Sequence, residues 1–182
     1  MKDSYISELK KEVLKFKKKN VDRKIIDEFL KKLSSTDKLT KELNIDEHIC
    51  AFFVPVNKKT KSIYLVHHIK ADDWIPPGGH IKFGERPVTT VIREFEEELG
   101  HKISPNQIEI FNLSIKDVRD NPRSPCKIHY DFWYIVDVQK IDFNYLKKEF
   151  HNAYWHNLDE TTFKKIKTPQ YNLIVRKLAK IL

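Results

Sequence analysis

Between Gly79 and Gly100 the chain sets out Glu85, Arg93, Glu94, Glu97 and Glu98 in the order G-x5-E-x7-R-E-x-x-E-E-x-G. On a helix Glu94, Glu97 and Glu98 are three and four residues apart, so their carboxylates gather on one side of two turns. Like-charged neighbours of this kind cost a helix about 0.2–0.5 kcal/mol a pair, and only Arg93 stands by to compensate. A divalent cation would remove the repulsion. Oxygen donors favour a hard ion such as Mg²⁺, which keeps waters and substrate phosphate oxygens in its shell, and Mn²⁺ suits the same donors. The plainer reading, a solvated acidic face, gives no reason for Gly79, Glu85, Arg93 and Gly100 at their spacings.

The elements that must position these groups are a loop and a helix. Pro87 suits a first helical position and Gly100 the position just past the end. Val88, Val91, Ile92, Phe95 and Leu99 between them form one apolar stripe, opposite the glutamates. Ahead of the helix, Trp74-Ile75-Pro76-Pro77-Gly78-Gly79-His80 reads as a rigid loop, with prolines fixing φ and glycines allowing close approach of backbone to phosphate.

The pattern at residues 79–100 resembles the signature of the Nudix hydrolases, which cleave nucleoside diphosphates linked to another group. The resemblance implies that Glu94, Glu97 and Glu98 bind metal, with a carbonyl of Gly78 or Gly79 as a further ligand, and that Arg93 and Glu85 form an orienting pair. It leaves the general base open between Glu94 and a carboxylate from a later loop. Phe95 and His101 stand where the family carries aliphatic residues, and neither position carries chemistry. The expected activity is a metal-dependent pyrophosphohydrolase. W-I-P-P-G-G-H resembles the loops of nucleoside triphosphate and dinucleoside polyphosphate hydrolases, so a small nucleotide is the expected partner. An RNA 5′-end-processing enzyme and a non-catalytic nucleotide sensor are the alternatives. The wider layout, with His67-His68 before the loop and His129-Tyr130-Asp131 in a late strand, is similar to a group of small bacterial Nudix proteins.

The rest of the chain predicts the frame. Residues 48–56 and 62–67 read as strands of a hairpin, 108–118 and 128–138 as two more, and Tyr154-Trp155-His156 as a late strand. A short helix is expected near 143–150 and a closing helix from Thr168. Residues 1–45 read as two amphipathic helices packed on the domain, with Leu9, Val13, Leu14 and Phe16 on one and Ile25, Ile26, Phe29, Leu30 and Leu33 on the other. The expected fold is an α/β sandwich with a mixed sheet over residues 46–182, plus this helical N-terminal extension.

Candidate substrate contacts outside the glutamate helix are Trp74, Gly78, His80, His129, Asp131 and Arg123. Trp74 either stacks on a base or packs over the loop. His129 and Asp131 share a strand face, as a late ligand and base or as a hydrogen-bonded pair. Arg123 lies in the polar segment with Asp117, Arg119 and Asp120, the expected seat of specificity.

The net charge is +8, and the first 43 residues hold thirteen Lys/Arg against eight Asp/Glu. Because those lysines flank apolar stripes and no aromatic platform accompanies them, a helical cap or dimer contact is favoured over nucleic-acid binding, and the chain is expected as a monomer or homodimer. No apolar run approaches a membrane span, and the charged N-terminus does not read as a signal peptide. Cys50 and Cys126 lack zinc-type spacing, so reduced thiols and a cytoplasmic location are expected.

Overall fold

The computed structural model describes residues 2–19, 21–119, 125–139 and 141–182. A seven-stranded mixed sheet organises it. The longest strand, β1 (Glu47–Asn57), is buried at nine successive positions, as a central strand covered on both faces must be. It turns through 58–61 into β2 (Ser62–His68), giving the expected antiparallel hairpin. β3 (Asp73–Ile75) pairs with β2, and β4 (Gly78–His80) pairs with β1 through Cys50, Ala51 and Phe52. The loop expected at 74–80 therefore contains two three-residue strands, separated by Pro76 and Pro77. β5 (Ile108–Asp117) and β6 (Ile128–Asp137) form an antiparallel pair, and β6 runs parallel to β1 along ten registered positions. β7 (Phe150–Asn157) closes against β2.

Alternation along the parallel pair sorts the helices between two faces. Ala51, Phe53, Phe132 and Tyr134 point one way. There α3 (Pro87–Leu99) lays Phe95 on Phe53, with ring centroids 5.1 Å apart. The helices α1 (Lys2–Lys15) and α2 (Arg23–Ser35), joined through a 3₁₀ turn at Phe16–Lys18, pack on the same face. Phe16 and Phe29 both meet Phe132, and Phe29 also meets Tyr130 edge-on. Leu9, Val13 and Phe16 are buried on the apolar stripe, whereas Leu14 turns outward at 41% exposure. On the other face α5 (Pro169–Ala179) sets Tyr171 against the registered pair Phe52 and Trp133.

One expected helix is absent. Residues 141–146 are irregular and 147–149 make a single turn. The Leu146 N–H donates to the carbonyl of Glu98 (2.8 Å), and Phe143 is buried among Tyr64, Phe95 and Trp155. The segment thus ties one donor to the end of α3 and turns those of Glu149 and Phe150 back onto the Leu146 carbonyl, and its apolar spacing reflects a packed coil. The helix α4 (Glu160–Lys165) was not expected. It is short, and Asp159 starts it by accepting from the Thr162 N–H (2.9 Å).

Among the described residues no helix is long and apolar enough to cross a membrane. Because Phe29 is 1% exposed against two sheet rings, Phe29→Ala should cost about 3–5 kcal/mol in chemical denaturation. A loss below about 1 kcal/mol would show that α2 contributes little to the sheet it covers.

Candidate active site

α3 begins at Pro87 without a side-chain cap and ends at Gly100, which adopts φ +64°. A Cβ there would stand 2.8 Å from the carbonyl oxygen of Asn144, so glycine serves both the left-handed turn and the close approach of 143–150. The loop at 82–85 is fastened from two directions. The Tyr5 hydroxyl of α1 donates to the carbonyl of Glu85 (2.9 Å). The Glu85 carboxylate accepts from the Lys82 N–H (3.1 Å) and the Thr90 hydroxyl (2.9 Å).

Arg93 joins that loop to the acidic face of α3. Its Nε and Nη2 grip Glu85 in a bidentate pair (2.8 and 3.0 Å). Nη1 donates to Glu94 (2.7 Å) and Glu97 (3.0 Å), and Nη2 also reaches the carbonyl of His80 (3.2 Å). One planar guanidinium thus spreads its donors over three carboxylates and the loop backbone, which a lysine could not do.

The three glutamates of α3 differ in environment. Glu98 is buried and accepts from the Gly78 N–H (2.9 Å). Burial, with the charge of Glu94 added, pushes the Glu98 carboxyl well above the usual range. Burial also raises Glu94, against the opposing pull of Arg93. Glu97 reaches outward at 51% side-chain exposure, 3.8 Å from the Lys82 ammonium. Gly79 packs so closely on Glu94 that a Cβ would lie 2.2 Å from Oε1, so a side chain at this position would displace the Glu94 carboxylate. Two carboxylates whose ionisation is opposed by burial and by neighbouring carboxylates, beside a closely approaching backbone, fit a hard divalent cation.

These groups line a 730 Å³ cleft with Lys41, Lys70, Lys82 and Lys116. Of the sequence-predicted contacts, Gly78, Gly79, His80 and His129 line it together with Arg93, Glu94, Glu97 and Glu98. Glu85 stands behind Arg93. Trp74 is elsewhere: it stacks on His67 (centroids 5.2 Å apart) and meets Tyr154 and His156 edge-on. Phe52 and Tyr171 are aromatic residues that do line the cleft. Asp131 is fully buried, with Ser114 Oγ 3.3 Å from Oδ2, and burial pushes its carboxyl up to about 7 although Lys116 opposes this. His129 is not its partner. Arg123 and Asp120 lie outside the described residues.

The sequence alone did not single out Glu149, nor bring together a second group of four residues. Glu149, in the turn ahead of β7, lines the cleft, and its carboxylate adds to the field that raises Glu98. Its position depends on the packed coil at 141–149, which no local pattern announces. The second group is His48, Cys50, His80 and His129. His48 and Cys50 share a face of β1, and the register sets His80 of β4 opposite Cys50 and His129 of β6 opposite His48. Burial, aided by Lys41 for His80 and by His48 for His129, lowers these two imidazoles to about 2 and about 3, so both rings are neutral.

This chain belongs to the Nudix family: the family model described as NUDIX domain matches residues 46–177. It is 30% identical over 109 residues to a protein of Lactococcus lactis subsp. cremoris (strain MG1363) described as a probable DHNTP pyrophosphohydrolase, covering 59% of this chain and 64% of that one. It is 29% identical over 96 residues to the asymmetrical bis(5′-nucleosyl)-tetraphosphatase of Rattus norvegicus, covering 52% and 59%. The chain thus spans less than two thirds of the length of these curated relatives. In fold it is similar to the E. coli dihydroneopterin triphosphate pyrophosphohydrolase, with a TM-score of 0.64 at 12% identity over 74% of this chain and 96% of that one.

The Arg93–Glu85 pair has a pH signature. Burial works to raise the Glu85 carboxyl, but hydrogen bonds from Arg93, the Lys82 N–H and Thr90 outweigh it and bring it from 4.5 down to about 2. A carboxylate depressed on folding contributes stability that is complete above its unfolded value and lost as pH falls through its folded one. Glu85→Gln should therefore lower Tm at neutral pH, and the gap to the unsubstituted protein should narrow below pH 4.5. A gap that stays constant through the acid range would show that the charge of Glu85 does not hold the loop.

Proposed function

We propose that this chain is a divalent-metal-dependent pyrophosphohydrolase for a nucleoside triphosphate, a dinucleoside polyphosphate or a related heterocycle carrying a polyphosphate. The observation that carries the reading is the set of Glu94 and Glu97 held by Arg93 and Glu98 held by the Gly78 N–H, beside the Gly78–Gly79 backbone. Glu94, Glu97 and Glu98, with the Gly79 carbonyl, would hold Mg²⁺ or Mn²⁺. Such an ion supplies Lewis-acid polarisation of the diphosphate and a water acidic enough to attack at neutral pH.

The protein's own groups set the remaining terms. Arg93 fixes the rotamers of Glu94 and Glu97 while Glu85 holds Arg93, so the oxygens are placed before substrate arrives. Lys41, Lys70, Lys82 and Lys116 offer a polyphosphate chain four positive charges along the cleft. Glu94 or Glu149, both on the cleft wall, would accept the proton of the attacking water. Gly78 remains assigned to substrate contact, beside His80 and His129 on the cleft wall; Phe52 and Tyr171 also border the cleft but are buried, with Lys116 Nζ 3.7 Å from the Tyr171 ring centre. The named substrates of the two curated relatives, DHNTP and a bis(5′-nucleosyl) tetraphosphate, both fit this description.

Release of phosphate or pyrophosphate from nucleoside triphosphates, dinucleoside polyphosphates and dihydroneopterin triphosphate, with Mg²⁺ or Mn²⁺, tests the proposal. At least one should turn over, and Glu97→Gln or Glu98→Gln should lower kcat by about 10²-fold or more while the protein stays folded. Near-normal turnover in either variant would remove that glutamate from the metal site. Silence across the whole panel, with nucleotide still bound, would replace the hydrolase by a nucleotide sensor.

A further inference from the structure

We propose that His48, Cys50, His80 and His129 form a second metal site, suited to Zn²⁺ and separate from the glutamates of α3. One donor atom from each lies within 4.8 Å of every other. A tetrahedral zinc with Zn–N of about 2.0–2.1 Å and Zn–S of about 2.3 Å needs donors about 3.3–3.6 Å apart. Separations of up to 4.8 Å are wider than that, so binding would draw the four side chains together.

The strands make the site. His48 and Cys50 lie two residues apart on β1, and their registered neighbours on β6 and β4 are His129 and His80. Three strands on one sheet face therefore deliver four donors to one point. Two of the histidines keep unspent donors, while His80 Nε2 lies 3.9 Å from Cys126 Sγ. His48 is fully buried, and its Nε2 has no hydrogen-bond partner among the described residues; nor has either nitrogen of His129. Meanwhile His48 Nδ1 lies 2.9 Å from the carbonyl of Asn44. That contact requires the proton on Nδ1 and leaves the Nε2 lone pair facing the cluster, the arrangement that metal-bound histidines adopt. The three rings pack together, with centroids 4.8–5.4 Å apart, and the low basicity of His80 and His129 keeps their lone pairs available.

Donor chemistry separates the two sites. Three imidazoles and a thiolate suit a borderline-soft ion, whereas the carboxylates and carbonyl around Glu98 suit Mg²⁺. On binding, the Cys50 S–H loses its proton to solvent and the sulfur pair forms the bond to the metal; nothing is oxidised. The resulting thiolate offsets part of the repulsion from Lys41 and Lys116. Four protein donors close the shell, so the ion is structural. Its position matters to the neighbouring site because the His80 carbonyl accepts from Arg93 (3.2 Å). A metal on the His80 ring would fix the segment that also carries Gly78 and Gly79.

Cobalt is the direct probe. Full-length protein, stripped with chelator and then held in excess Mg²⁺, should take up one Co²⁺ per chain. It should show the intense visible bands of tetrahedral cobalt and a near-ultraviolet thiolate charge-transfer band, and one Zn²⁺ should bleach both. Cys50→Ser should lose the charge-transfer band. His129→Gln, which keeps both cysteines, should weaken Co²⁺ binding by more than about 100-fold, while Glu98→Gln should leave the spectrum intact. Weak octahedral bands without charge transfer, or a spectrum indifferent to His129→Gln, would overturn the proposal and leave the histidines as ring packing alone. Should Cys50→Ser fail to fold, His129→Gln decides between the outcomes.

Discussion

The guanidinium of Arg93 is the interaction on which the rest of the site depends. Glu94, Glu97 and Glu98 stand on two turns of one helix, and Glu98 is driven into the protein, so mutual repulsion and desolvation both work against the arrangement. Arg93 answers the first by reaching Glu94 and Glu97 together, and Glu85 keeps Arg93 in the plane where this is possible. The residual penalty falls on Glu98, whose carboxyl burial pushes well above the usual range and whose one described hydrogen bond comes from the Gly78 N–H. A cation there converts an electrostatic cost into binding energy.

Much of the fold exists to hold that arginine still. Tyr5 of the N-terminal helix fastens the Glu85 carbonyl, and Phe16 and Phe29 fix the same helical pair to the sheet. The basic N-terminal region thus has a structural use for its apolar faces, and most of its lysines lie outside, Lys32 being buried against Glu47 (2.9 Å). β4 fastens Gly78 and Gly79 to β1 at the point where α3 presents Glu94 and Glu98. Helix, strand and extension therefore meet at the loop between Gly78 and Pro87.

What was legible in the sequence followed from locality. Pro87, Gly100 and the stripe through Val91, Phe95 and Leu99 define α3 within thirteen residues, and Arg93 lies beside Glu97, four residues on, on any helix. The strands β1, β2, β5 and β6 carry the β-branched and aromatic runs that central strands need. What was not legible came from register and from coil. The donors at 48, 50, 80 and 129 have no common spacing and meet only because β1 pairs with both β4 and β6. The absence of a zinc-type motif therefore said nothing about them. The apolar residues at 143–150 resemble a helix, yet their backbone caps α3 and their side chains fill the gap under β7. Trp74 reads equally as a base platform or a packing residue until its partners His67, Tyr154 and His156 are seen.

The cation site is the central claim, and diffraction tests it most directly. Anomalous difference maps from crystals grown with Mn²⁺ should show an ion among the carboxylates of Glu94 and Glu98 and the carbonyl of Gly79. Full-occupancy protein without a peak there, or with manganese only among His48, Cys50, His80 and His129, would contradict the account.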